Sequence, residues 1–152
     1  DQVVVMTRGR AVQVGSADAL FEKPAHTFVG HFIGSPGMNF LPASVDGTVL
    51  EVAGSRLPAP VGRALPAGPL TLGIRPEYLA LALAQQPGTV ACTVERMQDI
   101  GTYLMLTAKV GEHTLKARLS PDTRQVPAVG DMVWLQVLGE HTCFYQNEEL
   151  VA

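Results

Sequence analysis

The four histidines, His26, His31, His113 and His141, have the widest chemical range of the side chains in this sequence. A neutral imidazole ligates metals and moves protons near neutral pH. They form no HExxH pair, and no cysteine stands at zinc-finger spacing from any of them. His26 and His31 are related as i and i+5, a poor alignment for shared ligation on a helix. His113 and His141 each follow Gly-Glu, because the tetrapeptide Gly-Glu-His-Thr occurs at Gly111 and again at Gly139. Both copies read as hairpin turns in which Gly supplies the turn and Thr starts a strand. A duplicated metal site is the alternative. Cys92 and Cys143 make no CxxC pair and read as small buried apolar side chains in a reducing compartment. The three lysines follow Glu22, Ala108 and Leu115, so the Gly-Lys-Ser or Gly-Lys-Thr end of a phosphate loop is absent. No serine occupies a Gly-x-Ser-x-Gly elbow. Glu148 and Glu149 read as a solvated end rather than a catalytic pair. An isolated enzyme is therefore the least favoured class.

The elements that would position any site are short. Residues 3–6 form an apolar run, residues 7–10 a polar turn, and residues 11–14 resume alternation, which predicts a β-hairpin. Ser16 is placed to cap a helix over residues 17–23, which Pro24 stops because it has no N–H to donate. Phe28, Val29 and Phe32 share one face of a second helix over residues 25–33, closed by Gly34. Residues 34–40 read as a turn-rich linker, with a boundary near Pro36. Beyond it the pattern is strand, turn, strand. Residues 44–52 are broken by the turn dipeptide Asp46-Gly47, and residues 57–69 are mostly loop. Residues 70–74 alternate until Arg75-Pro76, and residues 78–83 form a mixed edge element. Five cleaner strands follow, over residues 89–97, 102–110, 113–119, 132–138 and 142–146, with Leu115, Ala117 and Leu119 facing in and Lys116 and Arg118 facing out. The fold class is mainly β: a small antiparallel barrel of the OB type, with residues 44–83 supplying a second, less regular one, preceded by a hairpin and two short helices.

Composition narrows the classes further. The 152 residues are 47% apolar and 16% charged, which argues against disorder. A chain of this length buries roughly 68–70% of its unfolded surface, enough for a core without staples. No apolar run approaches the ~20 residues of a membrane span. The balance of 11 Lys+Arg against 14 Asp+Glu gives a net charge of −3 without blocks. Nucleic-acid grooves interleave a basic field with aromatics. Here the aromatics are scattered and acids outnumber bases after Leu50, so no nucleic-acid partner is expected. Fifteen glycines and 11 prolines imply many turns between short elements.

Several stretches are specific enough to carry a family resemblance. Residues 1–6 followed by Gly9-Arg10-Ala11-Val12-Gln13-Val14-Gly15-Ser16 resemble the end of an ABC-type ATPase domain, and residues 17–25 resemble the helix after it. Residues 26–40, ending Gly34-Ser35-Pro36-Gly37-Met38-Asn39-Phe40, are similar to the linker of the carbohydrate-importer subfamily, which serves maltose, other sugars and glycerol phosphate. Leu72-Gly73-Ile74-Arg75-Pro76-Glu77-Tyr78-Leu79 resembles that subfamily's Gly-Ile-Arg-Pro-Glu-His motif, with Tyr78 in place of His. The final segment, with Gly130-Asp131 before a Val-rich strand, looks like its TOBE domain. Residues 99–103 look closer to the glycerol-phosphate branch.

The resemblance implies two parts: residues 1–35, a remnant of the nucleotide-binding domain with linker helices, and residues 36–152, a regulatory TOBE/OB-like domain. The family's phosphate loop, signature motif, magnesium-binding acidic segment and switch histidine have no matching positions here. No catalytic, cofactor or metal residue carries over, and ATP and Mg2+ are expected only of the parent subunit. The implied partners are a second copy, transmembrane permease subunits, a solute-binding protein and a cytosolic regulator. The implied location is cytoplasmic, against the inner face of the cell membrane. The candidate interface or regulatory residues are Phe32, Met38, Asn39, Phe40, Arg75, Glu77, Tyr78 and Trp134. Several have a purely structural alternative. Arg75 would tie down its turn through carbonyls, Met38 and Phe40 would anchor the linker, Asn39 would form an Asx turn, and Trp134 would sit in a second core face. A further reading is a small-ligand sensor, since related barrels in some transporters bind oxyanions, with Arg75, Arg96, Lys116 and Arg118 as anion donors.

Overall fold

The computed structural model describes residues 2–34 and 36–152. Asp1 and Ser35, which the hairpin and linker resemblances included, lie outside the described residues.

Strands β1 (Val3–Thr7) and β2 (Arg10–Gly15) form an antiparallel hairpin. Its two-residue loop, Arg8-Gly9, has positive φ at both positions (52° and 74°), the twist that suits tight hairpins. Helix α1 (Ala17–Glu22) starts where expected, with Ser16 Oγ accepting the Ala19 N–H at 3.2 Å. Helix α2 (Thr27–Phe32) is shorter than the expected span because His26 caps it, its Nδ1 accepting the Phe28 N–H at 3.0 Å. An imidazole acceptor thus does the work usually given to a hydroxyl or carboxylate.

Eleven strands follow: β3 (Asn39–Asp46), β4 (Val49–Val52), β5 (Ser55–Pro58), β6 (Leu70–Ile74), β7 (Ala80–Ala82), β8 (Thr89–Asp99), β9 (Leu104–Val110), β10 (His113–Leu119), β11 (Met132–Gln136), β12 (Cys143–Gln146) and β13 (Glu149–Leu150). A 3-10 turn, Pro76–Tyr78, sits between β6 and β7. One sheet runs β13-β12-β6-β3-β4-β5 and the other β10-β9-β8-β11-β7, with all neighbours antiparallel. The fold is mainly β and antiparallel, as expected. The strands between residues 44 and 83 do not form a barrel of their own. β7 joins the five-stranded sheet, and β3 to β6 pair with one another and with β12. Leu41, Leu50, Leu72 and Ile74 from one sheet meet Val90, Leu106, Leu115 and Leu135 from the other in one core.

β3 starts at Asn39, inside the stretch expected to be linker, and it contains Pro42. The Pro42 carbonyl accepts the Ala53 N–H, so this residue's backbone polar side faces away from β6, and no ladder bond to β6 is lost. The first Gly-Glu-His-Thr copy is the β9–β10 hairpin turn, as expected. The second is not a hairpin. It carries the chain from β11 in one sheet to β12 in the other. Glu149 is exposed, as a solvated end would be, but its backbone pairs with Gln146 in β13 and bridges to His26. Cys92 and Cys143 are free and buried, and burial pushes the Cys92 thiol up to about 12.

β12 alternates faces with the two-residue period of a strand. Phe144 enters the main core, while Cys143 and Tyr145 form a second, smaller cluster with Met38. Phe40 and Leu150 pack against that cluster. A Cβ on Gly73 would lie 2.7 Å from Met38 Sδ and 2.9 Å from the Tyr145 ring, so only glycine lets this cluster close over β6.

Candidate functional site

The second cluster leads directly to the most polar buried side chain of the chain. Arg75 is 1% exposed, immediately after β6. Its Nε and Nη2 each donate to the Phe21 carbonyl at 3.2 Å, and Nη1 donates to Gly30 O at 3.1 Å and to Ile33 O. The guanidinium also lies over the Phe21 ring, 4.3 Å from its centroid. These carbonyls belong to the C-terminal turns of α1 and α2, which lack intrahelical partners and carry the negative end of each helix. Arg75 therefore closes two helices onto the β-structure rather than tying down its own turn. Burial lowers its pKa and Glu77 opposes that shift, yet an arginine remains charged.

Around this centre the other candidates separate by role. The Tyr145 hydroxyl, also buried, donates to Pro24 O at 2.8 Å, and burial pushes its pKa up. Met38 is buried, with its N–H donating to Gly30 O at 2.9 Å. Phe40 meets the Tyr145 ring edge-on at 5.9 Å. Asn39 makes no Asx turn. Its amide donates to Lys116 O at 2.8 Å and accepts the Lys116 N–H at 2.9 Å, so one side chain joins β3 to the edge of β10 like a rung of a ladder.

Tyr78 is half-buried. Its hydroxyl donates to Glu22 Oε1 at 2.7 Å, and its ring stacks on His141 at 3.8 Å and 7°. His141 Nδ1 is 3.4 Å from Glu22 Oε2 and Nε2 is 3.5 Å from Glu140 Oε1. Glu77 is exposed beside this group. Phe32 is 64% exposed and packs against Phe28 in a tilted pair at 4.6 Å, an exposed aromatic surface on α2. Trp134 is half-buried on the outward face of β11, outside the core formed by Val133, Leu135 and Val137. Trp134 joins neither buried cluster, and its strand partners across the ladder are Ala82 and Ala91.

Among the anion donors, Arg75 is saturated, Arg96 and Lys116 are exposed on separate strands, and only Arg118 borders a cleft. Sequence reasoning missed Glu22, Tyr145 and Arg63, and it placed His141 only in a turn or a duplicated metal site. Arg63 donates to Gly139 O at 3.0 Å, to Glu140 O at 3.1 Å and to Thr142 O, holding the turn that presents His141. No local pattern flags these residues, because each partner lies on a distant element. Among the described residues, no three of His, Cys, Asp and Glu gather to hold a metal ion.

A fold of two β-sheets on one core, bound to two helices through an arginine in a Gly-Ile-Arg-Pro turn, defines a class. Residues 34–79 match the MalK OB fold domain and residues 72–144 match the TOBE domain. Residues 34–144 thus carry an OB and a TOBE domain of the kind these two models describe. It is 40% identical over 149 residues to the sn-glycerol-3-phosphate import ATP-binding protein UgpC of Salmonella typhi, covering 92% of this chain and 39% of that protein. It is 36% identical over 151 residues to the protein of the same name from Escherichia coli, covering 97% and 42%. With that of Cereibacter sphaeroides the identity is 50% over 90 residues, covering 58% and 24%. The chain thus spans about two fifths of the length of the first two of these relatives.

Proposed function

We propose that this chain is the non-catalytic regulatory and dimerisation region of the ATP-binding subunit of an importer for sugars, polyols or glycerol 3-phosphate. The observation that carries this reading is the pair of domain matches across residues 34–144 of this chain, alongside its similarity to proteins named as import ATP-binding proteins. Residues 1–35 are the end of the ATPase domain with its linker helices, and residues 36–152 are the regulatory part. ATP and Mg2+ belong to the rest of the subunit. Permease subunits and a solute-binding protein complete the transporter, at the cytoplasmic face of the membrane.

In this reading two copies of the β-region hold two ATPase domains near one another while the ATP sites open. The tether raises their effective concentration, so reassociation competes with loss. The Arg75 lock makes the tether stiff, because rotating α1 and α2 against the β-structure breaks the guanidinium bonds to Phe21 O, Gly30 O and Ile33 O. A cytosolic regulator bound to the β-region could then bias the ATPase state.

Light scattering behind size exclusion, over a hundredfold range of concentration, tests the tether. A dimer that persists on dilution is the expected result. A monomer at every concentration would remove self-association of this region as the source of the tether.

A further inference from the structure

The five-stranded sheet ends in β10 on one side and β7 on the other. The sheet curls until these two edges approach, but no ladder joins them. A cleft of about 540 Å3 opens at the lower end of this seam, between the residues after the 3-10 turn and the loop that follows β10. That is the size of a small-metabolite pocket.

The walls of the cleft differ in chemistry. One is aliphatic, formed by Leu81 and Leu83, and Leu83 is 85% exposed. The other carries Arg118, Arg124 and Ser120, and no carboxylate lines the cleft. Neither arginine has an ion-pair partner among the described residues, although the chain as a whole is negative. The Arg118 guanidinium is held over the Tyr103 ring at 3.9 Å, which fixes its plane before any ligand arrives. The loop is ordered by its own bonds: Thr123 donates twice to Ser120 O, at 2.6 and 3.0 Å. Ser120 Oγ accepts the Asp122 N–H at 3.2 Å, so its own hydrogen remains free to donate. Asp122 stands outside the lining.

We infer that this seam binds an amphipathic organic anion: a phosphate or carboxylate head held by Arg118, Arg124 and Ser120, with a short aliphatic body against Leu81 and Leu83. Guanidinium pairs bind such heads bidentately, and the apolar wall distinguishes an alkyl-bearing anion from an inorganic one. The proposal narrows the small-ligand alternative to one place and does not depend on dimerisation. A chain that stays monomeric and still binds leaves it intact.

The test is an NMR titration of the 15N-labelled chain with hexyl phosphate, hexanoate, inorganic phosphate and hexanol. Hexyl phosphate is expected to shift amides in residues 79–83 and 118–125, inorganic phosphate to bind at least tenfold more weakly, and hexanol not at all. Arg118→Gln and Arg124→Gln should each weaken hexyl phosphate tenfold or more. Leu83→Asp, at an exposed site, should do the same from the opposite wall without affecting folding. Vesicles containing phosphatidylglycerol separate the two sources of such an anion. Co-sedimentation lost in Arg118→Gln supports a lipid-borne head, and its absence beside hexyl phosphate binding supports a free metabolite. Equal binding of hexanol, or binding indifferent to all three substitutions, would overturn the proposal.

Discussion

Glu22 uses both carboxylate oxygens on a stacked pair, Tyr78 and His141, that comes from two other elements. The hydrogen bond to Glu22, followed by burial, pushes the Tyr78 phenol from 10.0 up to about 12. The folded state thus prefers the protonated phenol, and the sign follows. Below pH 10 both states hold the proton and the contribution is complete. Between about 10 and 12 the unfolded phenol ionises first, so stability falls as pH rises. Solvent screens the half-buried phenol, so the loss is small. Glu22→Ala should bring Tyr78 titration back toward 10, read as phenolate absorbance after subtracting a Tyr78→Phe variant. An unchanged titration would mean that Glu22 does not hold the phenol. The Gly-Ile-Arg-Pro-Glu-Tyr segment was visible as a marker in the sequence, but the partner that makes Tyr78 matter lies 56 positions away and was not.

At the scale of elements, Arg75 substitutes for the core that two six-residue helices cannot build alone. Helices this short are unstable in isolation, and their carbonyl ends need donors. Hydrogen bonds from a charged donor contribute roughly 1.5–3 kcal/mol each. Arg75→Gln should therefore cost about 2–4 kcal/mol in urea unfolding. Arg75→Lys should restore little of this, since an ammonium is a point donor and cannot fork between Phe21 and Ile33. Hydrogen exchange should quicken in residues 17–33 more than in β8 to β10. A loss under about 0.5 kcal/mol would show that water replaces the guanidinium freely. The helices themselves were legible because their signals are local: Ser16 before the first, Pro24 after it. The start of β3 was not legible. Asn39 follows a run of Gly, Ser and Pro that reads as linker, and its strand state depends on Ile74 and Lys116. The division of strands between sheets was equally hidden, because β12 pairs with β6 and not with its sequence neighbour β11.

Across the whole molecule, stability should be graded from the N-terminal hairpin inward. β1 and β2 pair only with each other, and Val4, Met6 and Val14 are each more than half exposed. A lone two-stranded hairpin is marginal in water. Among the described residues, its side-chain hydrogen bonds to the helical segment come from Gln13, which donates to Lys23 O at 3.2 Å and accepts the Ala25 N–H at 2.9 Å. The helices behind it are held by Arg75, and the sheets behind them share one continuous core. Local opening energies should rise in that order. Hydrogen exchange should be fast in residues 3–15, intermediate in residues 17–33 and slow in β8 to β10. Gln13→Ala should accelerate the hairpin alone and leave the urea midpoint within about 0.5 kcal/mol of the parent. Hairpin protection equal to that of β8 in a monomer would mean that its exposed valines pack on the β-structure in solution. The same protection appearing only at dimer concentrations would instead assign those valines to a second copy, through pairing or exchange of hairpins. The concentration dependence of exchange in residues 3–15 separates the two outcomes.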